Sequence, residues 1–150
     1  MDESEAVTGG CFCGRVRYEA RGFPRRASYC HCSFCRRTSG APAEVAVELE
    51  AGTLRWTADE PRYFRTSPFG ERGFCGDCGS RLIWRLADGS GEDYANVSVG
   101  SLDRPEDVRP AFHQCVESRL PWYRIDDDLP RLTTEELPQL MALRRAAGFD

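Results

Sequence analysis

The chain has 150 residues, a length typical of one domain with a core of its own. Its formal net charge of −4 and its pI of about 5.3 exclude a general electrostatic attraction to nucleic acid or to anionic membranes. All 20 basic residues are arginines, which excludes lysine Schiff-base chemistry and lysine-anchored pyridoxal phosphate.

The composition and the N-terminus together predict a cytoplasmic protein. No apolar run approaches the roughly 20 residues of a membrane span, and the opening Met-Asp-Glu-Ser-Glu-Ala-Val is more polar than a signal peptide. Because thiols stay reduced in the cytoplasm, the eight cysteines favour metal ligation over disulfides. Geometry also disfavours the disulfide alternative, because the two cysteines of a Cys-x-Cys pair are poorly placed to bridge each other.

Most of the predicted elements are short strands. Residues 1–7 are predicted to form a loose acidic tail, followed by a single domain over residues 8–150 without repeats or linkers. Runs of alternating apolar and polar residues between Gly and Pro predict about seven or eight strands, a number typical of a mainly-β domain. These strands are expected at residues 16–20, 44–49, 53–57, 62–66, 81–86, 94–99 and 111–116.

Two helices are predicted beside these strands. A short one begins at Ser33, and a longer one runs from about Thr134 to Ala147. Thr133 and Glu136 have the spacing of a capping box, and Gly148 suits the C-terminal stop of the longer helix. We expect this longer helix to be a packing element that carries no chemistry.

Seven of the eight cysteines lie in three short motifs: a Cys-x-Cys pair, a Cys-His-Cys-x-x-Cys cluster and a Cys-x-x-Cys pair. Thiolates one or three residues apart on a tight turn can converge on one ion, and zinc prefers four ligands in a tetrahedron. The spacing therefore predicts two zinc sites, one closed and structural, the other open and catalytic. In chain order, the seven cysteines are Cys11, Cys13, Cys30, Cys32, Cys35, Cys75 and Cys78.

The first and third motifs predict the closed site. Cys11 and Cys13 supply two thiolates from a strand edge, and Cys75 and Cys78 supply two more from a turn. Glycines beside these cysteines allow positive φ, so backbone N–H groups can point at the sulfurs and offset their charge. The alternative, four reduced cysteines in an apolar core, stays open.

The middle motif predicts the open, catalytic site, which Cys30, Cys32 and Cys35 form. Its fourth position can be filled by water, by substrate, by Cys115 or by a histidine. His31 is not expected to be that ligand, because a side chain between two ligands of an extended stretch points to the opposite side. The simplest interpretation of Cys115 is a small buried hydrophobe.

Two arginines are candidate substrate-binding residues. Arg36 and Arg37 directly follow Cys35. Zinc with three thiolates carries a net charge of −1, and a bound substrate thiolate adds another negative charge. Guanidinium groups beside the site would offset that charge and could hold substrate carboxylates in bidentate pairs. The alternative is a solvated helix face.

With these motifs the chain resembles the glutathione-dependent formaldehyde-activating enzyme family, which also includes centromere protein V. The resemblance covers roughly residues 9–131 and rests on four motifs in order. They are Gly10-Cys11-Phe12-Cys13-Gly14-x-Val16-x-Tyr18, Cys30-His31-Cys32-x-x-Cys35-Arg36-Arg37-x-x-Gly40, Phe74-Cys75-x-x-Cys78-Gly79 and Pro121-Trp122-Tyr123-x-Ile125-x-Asp127-Asp128-Leu129-Pro130.

This resemblance implies a β-tent fold with two zinc ions. The structural zinc would be held by Cys11, Cys13, Cys75 and Cys78, and the catalytic zinc by Cys30, Cys32 and Cys35. It also implies a carbon–sulfur lyase activity that joins formaldehyde to the thiol of glutathione and gives S-(hydroxymethyl)glutathione.

The predicted mechanism uses the open zinc to hold the substrate thiol, whose pKa falls from about 8.5 so that a thiolate attacks formaldehyde. The expected partner is a small thiol such as glutathione, with no nucleic acid and no membrane. One alternative is a zinc-stabilised binding module without turnover. Another is a dehalogenase, a desulfurising enzyme or a different thiol-conjugate enzyme with the same site. Thiol binding at the metal separates the enzyme from the module.

Overall fold

The computed structural model describes residues 3–88 and 94–148 of the chain. These residues form eleven strands and two α-helices, joined by turns and short 3-10 segments. The strands are β1 Glu5–Gly10, β2 Arg17–Gly22, β3 Ser28–Cys30, β4 Glu44–Glu48, β5 Arg55–Trp56, β6 Arg62–Arg65, β7 Gly70–Phe74, β8 Arg81–Leu86, β9 Ala95–Ser98, β10 Phe112–Gln114 and β11 Arg131–Leu132. The helices are α1 Ser33–Ser39 and α2 Pro138–Ala146.

Two sheets organise the described residues. The small sheet has the order β1-β2-β5, and the large one has the order β11-β10-β3-β4-β9-β8-β7-β6. Neighbouring strands are antiparallel except at β10, which runs parallel to both β3 and β11. The mainly-β class predicted from the sequence, with one helix at the three-cysteine motif and one near the C-terminus, is confirmed.

The apolar core joins the two sheets. Val47, Val97 and Ile83 lie opposite one another on β4, β9 and β8, and all three are fully buried. Such rows of β-branched side chains are the main stabilising contacts of a sheet. Gly73 continues the row on β7, where a Cβ atom would lie 2.5 Å from the Ile83 side chain. Tyr18, from β2, closes the core on the side of the small sheet.

All seven predicted strands are present: β8 has the predicted bounds, β2 is shifted to Arg17–Gly22, and the other five are shorter than predicted. Four further strands of the described residues were not predicted: β1, β3, β7 and β11. β1 corrects the predicted loose tail, because Glu5 to Val7 pair with β2 in an antiparallel ladder. Backbone hydrogen bonds to a neighbouring strand order this segment although its own sequence lacks a strand pattern. Residues 1–2 of that tail and residues 149–150 of the predicted domain lie outside the described residues.

Both helices begin near the predicted positions. α1 starts at Ser33 and ends before Gly40, whose φ of 74° suits a left-handed C-cap. The capping box of Thr133 and Glu136 is confirmed, but it begins a 3-10 turn, Thr134–Glu136. Pro138 then opens α2, because proline disfavours the helical conformation of the preceding residue. No helix within residues 3–88 and 94–148 has the length and apolar character needed to cross a membrane.

Candidate metal centres

The first candidate centre brings together the four cysteines predicted for the closed site. The sulfurs of Cys11, Cys13, Cys75 and Cys78 all lie within 4.8 Å of one another. The Cys11 and Cys13 sulfurs are 3.5 Å apart, and those of Cys13 and Cys75 are 3.7 Å apart. A tetrahedral zinc ion with bonds of about 2.3 Å needs sulfurs about 3.8 Å apart, so the group fits one such ion.

Hydrogen-bond donors lie beside two of these four sulfurs. The Val16 N–H donates to the Cys11 sulfur at 3.2 Å, and the Ser80 hydroxyl lies 3.2 Å from the Cys78 sulfur. The Ser80 hydroxyl and the neighbouring N–H lower the pKa of Cys78 to about 5. Ser80 also accepts a hydrogen bond from the Phe12 N–H at 2.9 Å, which ties the two turns together. The donors stabilise thiolates, the form that binds metal.

The second candidate centre lies where β3 turns into α1. The sulfurs of Cys30, Cys32 and Cys35 lie within 4.8 Å of one another, and the first two are 3.5 Å apart. Cys32 is the N-cap residue of α1, and its sulfur accepts a hydrogen bond from the Cys35 N–H at 3.3 Å. The strand-to-helix turn therefore directs three thiols to one point, as the spacing predicted.

Cys115, one of the candidates for the fourth position, lies against this second group, although a small buried hydrophobe was the simpler prediction. It is 2% exposed, and its thiol interacts with those of Cys30 and Cys32. It is buried, as expected, but it does not belong to the apolar core cluster. Eighty residues separate Cys115 from Cys35 in the sequence, and only the parallel pairing of β10 with β3 brings them together.

Within the second group, negative charge is most favourable on Cys32. The thiols of Cys115, Cys30 and Cys35 donate hydrogen bonds to its sulfur and hold its pKa far below the ordinary value. The pKa of Cys30 is raised instead, by its contacts with Cys115, Cys32 and Cys35 and by burial. The cluster thus stabilises one thiolate, at Cys32, and thiolates are the form that binds metal.

A buried histidine network lies behind the second centre. The His31 Nε2 atom is 2.9 Å from His113 Nδ1, and His113 Nε2 is 2.9 Å from an Asp127 carboxylate oxygen. The Asp127 carboxylate accepts the Nε2 proton of His113, and the two histidine rings share a hydrogen bond between His31 Nε2 and His113 Nδ1. Burial, then His113, lowers the pKa of His31, so it is neutral at pH 7.

The histidine network agrees with the prediction that His31 is not a metal ligand, since its ring pairs with His113 instead of joining the sulfur group. Sequence reasoning did not find the network itself. Its members are 82 and 14 residues apart, and no local pattern links them.

The predicted substrate arginines lie on α1. Arg36 is half-buried and its guanidinium is 3.5 Å from the Ser118 carbonyl oxygen, while Arg37 is exposed. Neither lines the pocket beside the second centre. A different arginine reaches the sulfurs: Arg72, from β7, is 7% exposed and places Nη2 3.7 Å from the Cys35 sulfur.

The pocket beside the second centre has a volume of about 560 Å³. Its wall includes the three cysteines of the second group and Cys115, so a molecule in the pocket can reach this group. This volume falls in the range of small-molecule sites, roughly 300–1,000 Å³. The charged side chains of the wall are Arg26, Arg72, Arg81, Arg144, Glu44 and Glu48.

A mainly-β domain with two separate groups of converging thiols belongs to the class of proteins that can hold metal through cysteine. The family model of the glutathione-dependent formaldehyde-activating enzyme matches residues 6–118, so the chain belongs to this family and the predicted resemblance is confirmed. Among curated proteins, an uncharacterized lyase of Schizosaccharomyces pombe is 22% identical over 129 residues, which cover 86% of this chain and 92% of the relative.

A solved structure supports the fold. The crystal structure of a Rhodobacter sphaeroides protein superposes with a TM-score of 0.53 at 20% identity. The match covers 84% of this chain and 99% of that one.

Proposed function

We propose that this protein is a zinc-dependent carbon–sulfur lyase-type enzyme that joins glutathione to formaldehyde and gives S-(hydroxymethyl)glutathione, or that performs a related thiol-adduct reaction. Family membership supports the glutathione and formaldehyde chemistry, and the name of the yeast relative supports a lyase. The observation that carries the proposal is the group of three thiols in the wall of a pocket of small-molecule size.

Zinc is the metal that the two donor sets favour. Both consist of soft thiolates, and the sulfur separations of 3.5 and 3.7 Å are near the value for a tetrahedral zinc ion. We infer a structural zinc at Cys11, Cys13, Cys75 and Cys78 and a catalytic zinc at Cys30, Cys32 and Cys35. When bound at the catalytic site, zinc would keep a substrate thiol ionised at neutral pH.

The pocket residues would position the two substrates. The substrate sulfur lies beside the sulfurs of the second centre and attacks the carbonyl carbon of formaldehyde, which forms the C–S bond. The carbonyl π electrons move to oxygen, which takes a proton from water in the pocket. Much of the acceleration would come from holding the two reactants together.

Charges around the pocket support binding of an anionic thiol. Arg72 donates to the Cys35 sulfur, so it would offset the charge of a site with several thiolates. Arg81 is paired with Glu44 at 3.1 Å. We propose that Arg36 and Arg37 bind the substrate carboxylates, because they lie on α1 directly after Cys35.

We also infer a β-tent architecture and a cytoplasmic location, where glutathione and reduced thiols coexist. The acidic pI argues against nucleic acid as a partner.

The test compares exchange rates, because glutathione and formaldehyde also combine spontaneously. Exchange spectroscopy by ¹³C NMR measures the rate of adduct formation with zinc-loaded protein, with Cys32→Ser protein and with buffer. We expect the parent to exceed the buffer rate and the variant to match it. An equal rate in all three samples would overturn the proposal. Calorimetry then separates the remaining alternatives, since a binding module without turnover has no need to bind glutathione.

A further inference from the structure

The backbone holds Cys115 at the level of the second metal centre. β10 runs parallel to β3 with Gln114 opposite Cys30, and the Gln114 carbonyl accepts a hydrogen bond from the His31 N–H at 3.1 Å. The next residue is Cys115, so its Cα is adjacent to the Cys-His-Cys motif. A side chain from this position can reach the sulfurs without any rearrangement of the sheet.

The Cys115 side chain is directed to those sulfurs. Its thiol interacts with Cys30 and Cys32, and it also interacts with the Thr134 side chain. Cysteines that serve only as small hydrophobes pack among apolar side chains, whereas Cys115 lies outside the core cluster and in the wall of the pocket.

The conformation of Cys115 is unusual for its residue type. Its φ of 56° and ψ of 43° are left-handed, and it is the single non-glycine residue with positive φ within the described residues. A left-handed residue with a side chain is unfavourable, and such residues persist where the surrounding structure requires the side-chain direction. Here that direction brings a fourth sulfur to a group of three.

We propose that Cys115 is the fourth ligand of the second metal centre in the resting protein, and that a substrate thiol replaces it there. Zinc requires four ligands, and the second group supplies three. Cys115 does not belong to the set of sulfurs that all lie within 4.8 Å of one another, although it contacts two of its members. It is therefore the ligand most easily exchanged.

The exchange step balances in atoms and charge. An incoming thiol would give its proton to the Cys115 sulfur, and the substrate thiolate would take the place of the Cys115 thiolate among the sulfurs that hold the ion. One thiolate replaces another, so the site keeps its charge and the pocket need not stabilise an additional anion. This second half of the inference rests on the proposed function, while the ligand assignment does not.

The first experiment examines the parent protein by X-ray absorption of the two-zinc form. Four sulfurs at each site give a mean of about four sulfurs per zinc, whereas an open second site gives a mean of about three and a half. The lower value, with an oxygen or nitrogen neighbour, would overturn the assignment without any variant having to fold.

The second experiment uses cobalt(II) as a probe in the parent, in Cys115→Ser and in Val108→Ala, a buried core control. Loss of one sulfur should weaken sulfur-to-cobalt charge transfer and move the visible bands to shorter wavelength in Cys115→Ser alone. Glutathione should then restore the four-sulfur spectrum of that variant and leave the sulfur count of the parent unchanged. A variant spectrum identical to the parent's would overturn the ligand role. If the spectrum of Cys115→Ser shows the loss of one sulfur but does not change when glutathione is added, Cys115 is a ligand and the proposed thiol exchange is wrong.

Discussion

The Arg72 guanidinium donates to the Cys35 sulfur, with Nη2 3.7 Å from Sγ. Arg72 is 7% exposed and also donates to the Thr66 hydroxyl, while its Nε–H has no partner in the part of the chain that the structure describes. A buried cation is costly without a counter-charge. Arg72 and the thiolates of the second centre therefore stabilise each other.

The first prediction concerns this pair. Arg72→Met keeps most of the side-chain volume but removes the charge, so it should weaken zinc binding at the second centre about 10- to 100-fold, as loss of an outer partner typically does. Competition with a chromophoric chelator measures both zinc affinities. The first centre should keep its affinity, and so should both centres in Arg85→Met, which loses a half-buried ion pair with Glu71 outside the pocket. An unchanged second affinity would show that Arg72 does not stabilise the thiolates.

A second prediction distinguishes the two arginines of α1 from Arg72. If Arg36 and Arg37 bind substrate carboxylates, replacing both with alanine should weaken glutathione binding about ten-fold or more, since each 1.4 kcal/mol is one decade. Zinc content should not change. Calorimetry on the zinc-loaded parent and double variant provides the measurement. Equal affinities would assign the two arginines to a solvated helix face and leave carboxylate recognition to the pocket wall.

A third prediction separates the roles of the two centres. Cys75→Ser should lower the free energy of unfolding by more than about 3 kcal/mol, because a structural zinc contributes folding energy directly. Cys32→Ser should leave the fold largely intact and abolish glutathione binding. Urea unfolding and metal analysis of both proteins test the division. Similar losses of stability in the two variants would show that the distinction between a structural and a catalytic centre is wrong.

The fourth prediction tests the histidine network. His113→Phe keeps a ring that can stack on Tyr29, but it leaves the buried His31 Nε2 without its partner and removes one of the partners of the Asp127 carboxylate. We expect a loss of about 1–3 kcal/mol, the usual cost of an unsatisfied buried polar group. Tyr29→Phe is the matched control, because it keeps the stacked ring and the network, and it should change stability by less than about 0.5 kcal/mol. If His113→Phe and Tyr29→Phe have equal free energies of unfolding, the histidine network does not stabilise the fold.

The fifth prediction is a dependence of stability on alkaline pH. Burial raises the pKa of Tyr18 to about 12, against an ordinary value of about 10, and Ser101 shares a 2.7 Å hydrogen bond with its hydroxyl. Below pH 10 the phenol is protonated in both states and the folded state keeps its full stability. Between about pH 10 and pH 12 only the unfolded state releases the proton, so stability should fall by up to about 3 kcal/mol.

Urea unfolding between pH 8 and about pH 11 measures how steeply the free energy of unfolding falls with pH. Tyr18→Phe should begin less stable, because Ser101 loses its partner, but it should show a shallower decline. Parallel pH curves for the two proteins would exclude Tyr18 as the source.

Local spacing and turn chemistry were enough to predict much of this protein. The three cysteine motifs, the helix start at Ser33 and the capping box at Thr133 all depend on residues within a few positions of one another. Seven strands were recognisable because alternation is visible within a single segment. The strand β7, Gly70–Phe74, was not recognisable, because its glycines are typical of turns. It forms a strand through its hydrogen bonds to β6 and β8.

The tertiary structure alone decided which distant groups complete the second centre. Cys115 reaches the sulfurs through the parallel pairing of β10 with β3, Arg72 reaches Cys35 from 37 residues away, and His113 reaches His31 from 82. None of these residues has a local pattern, because strand pairing and not sequence proximity determines their neighbours. Thus the amino-acid sequence by itself determined the three cysteine motifs that can bind metal, while the arrangement of the large sheet determined which other groups, Cys115 included, lie beside them.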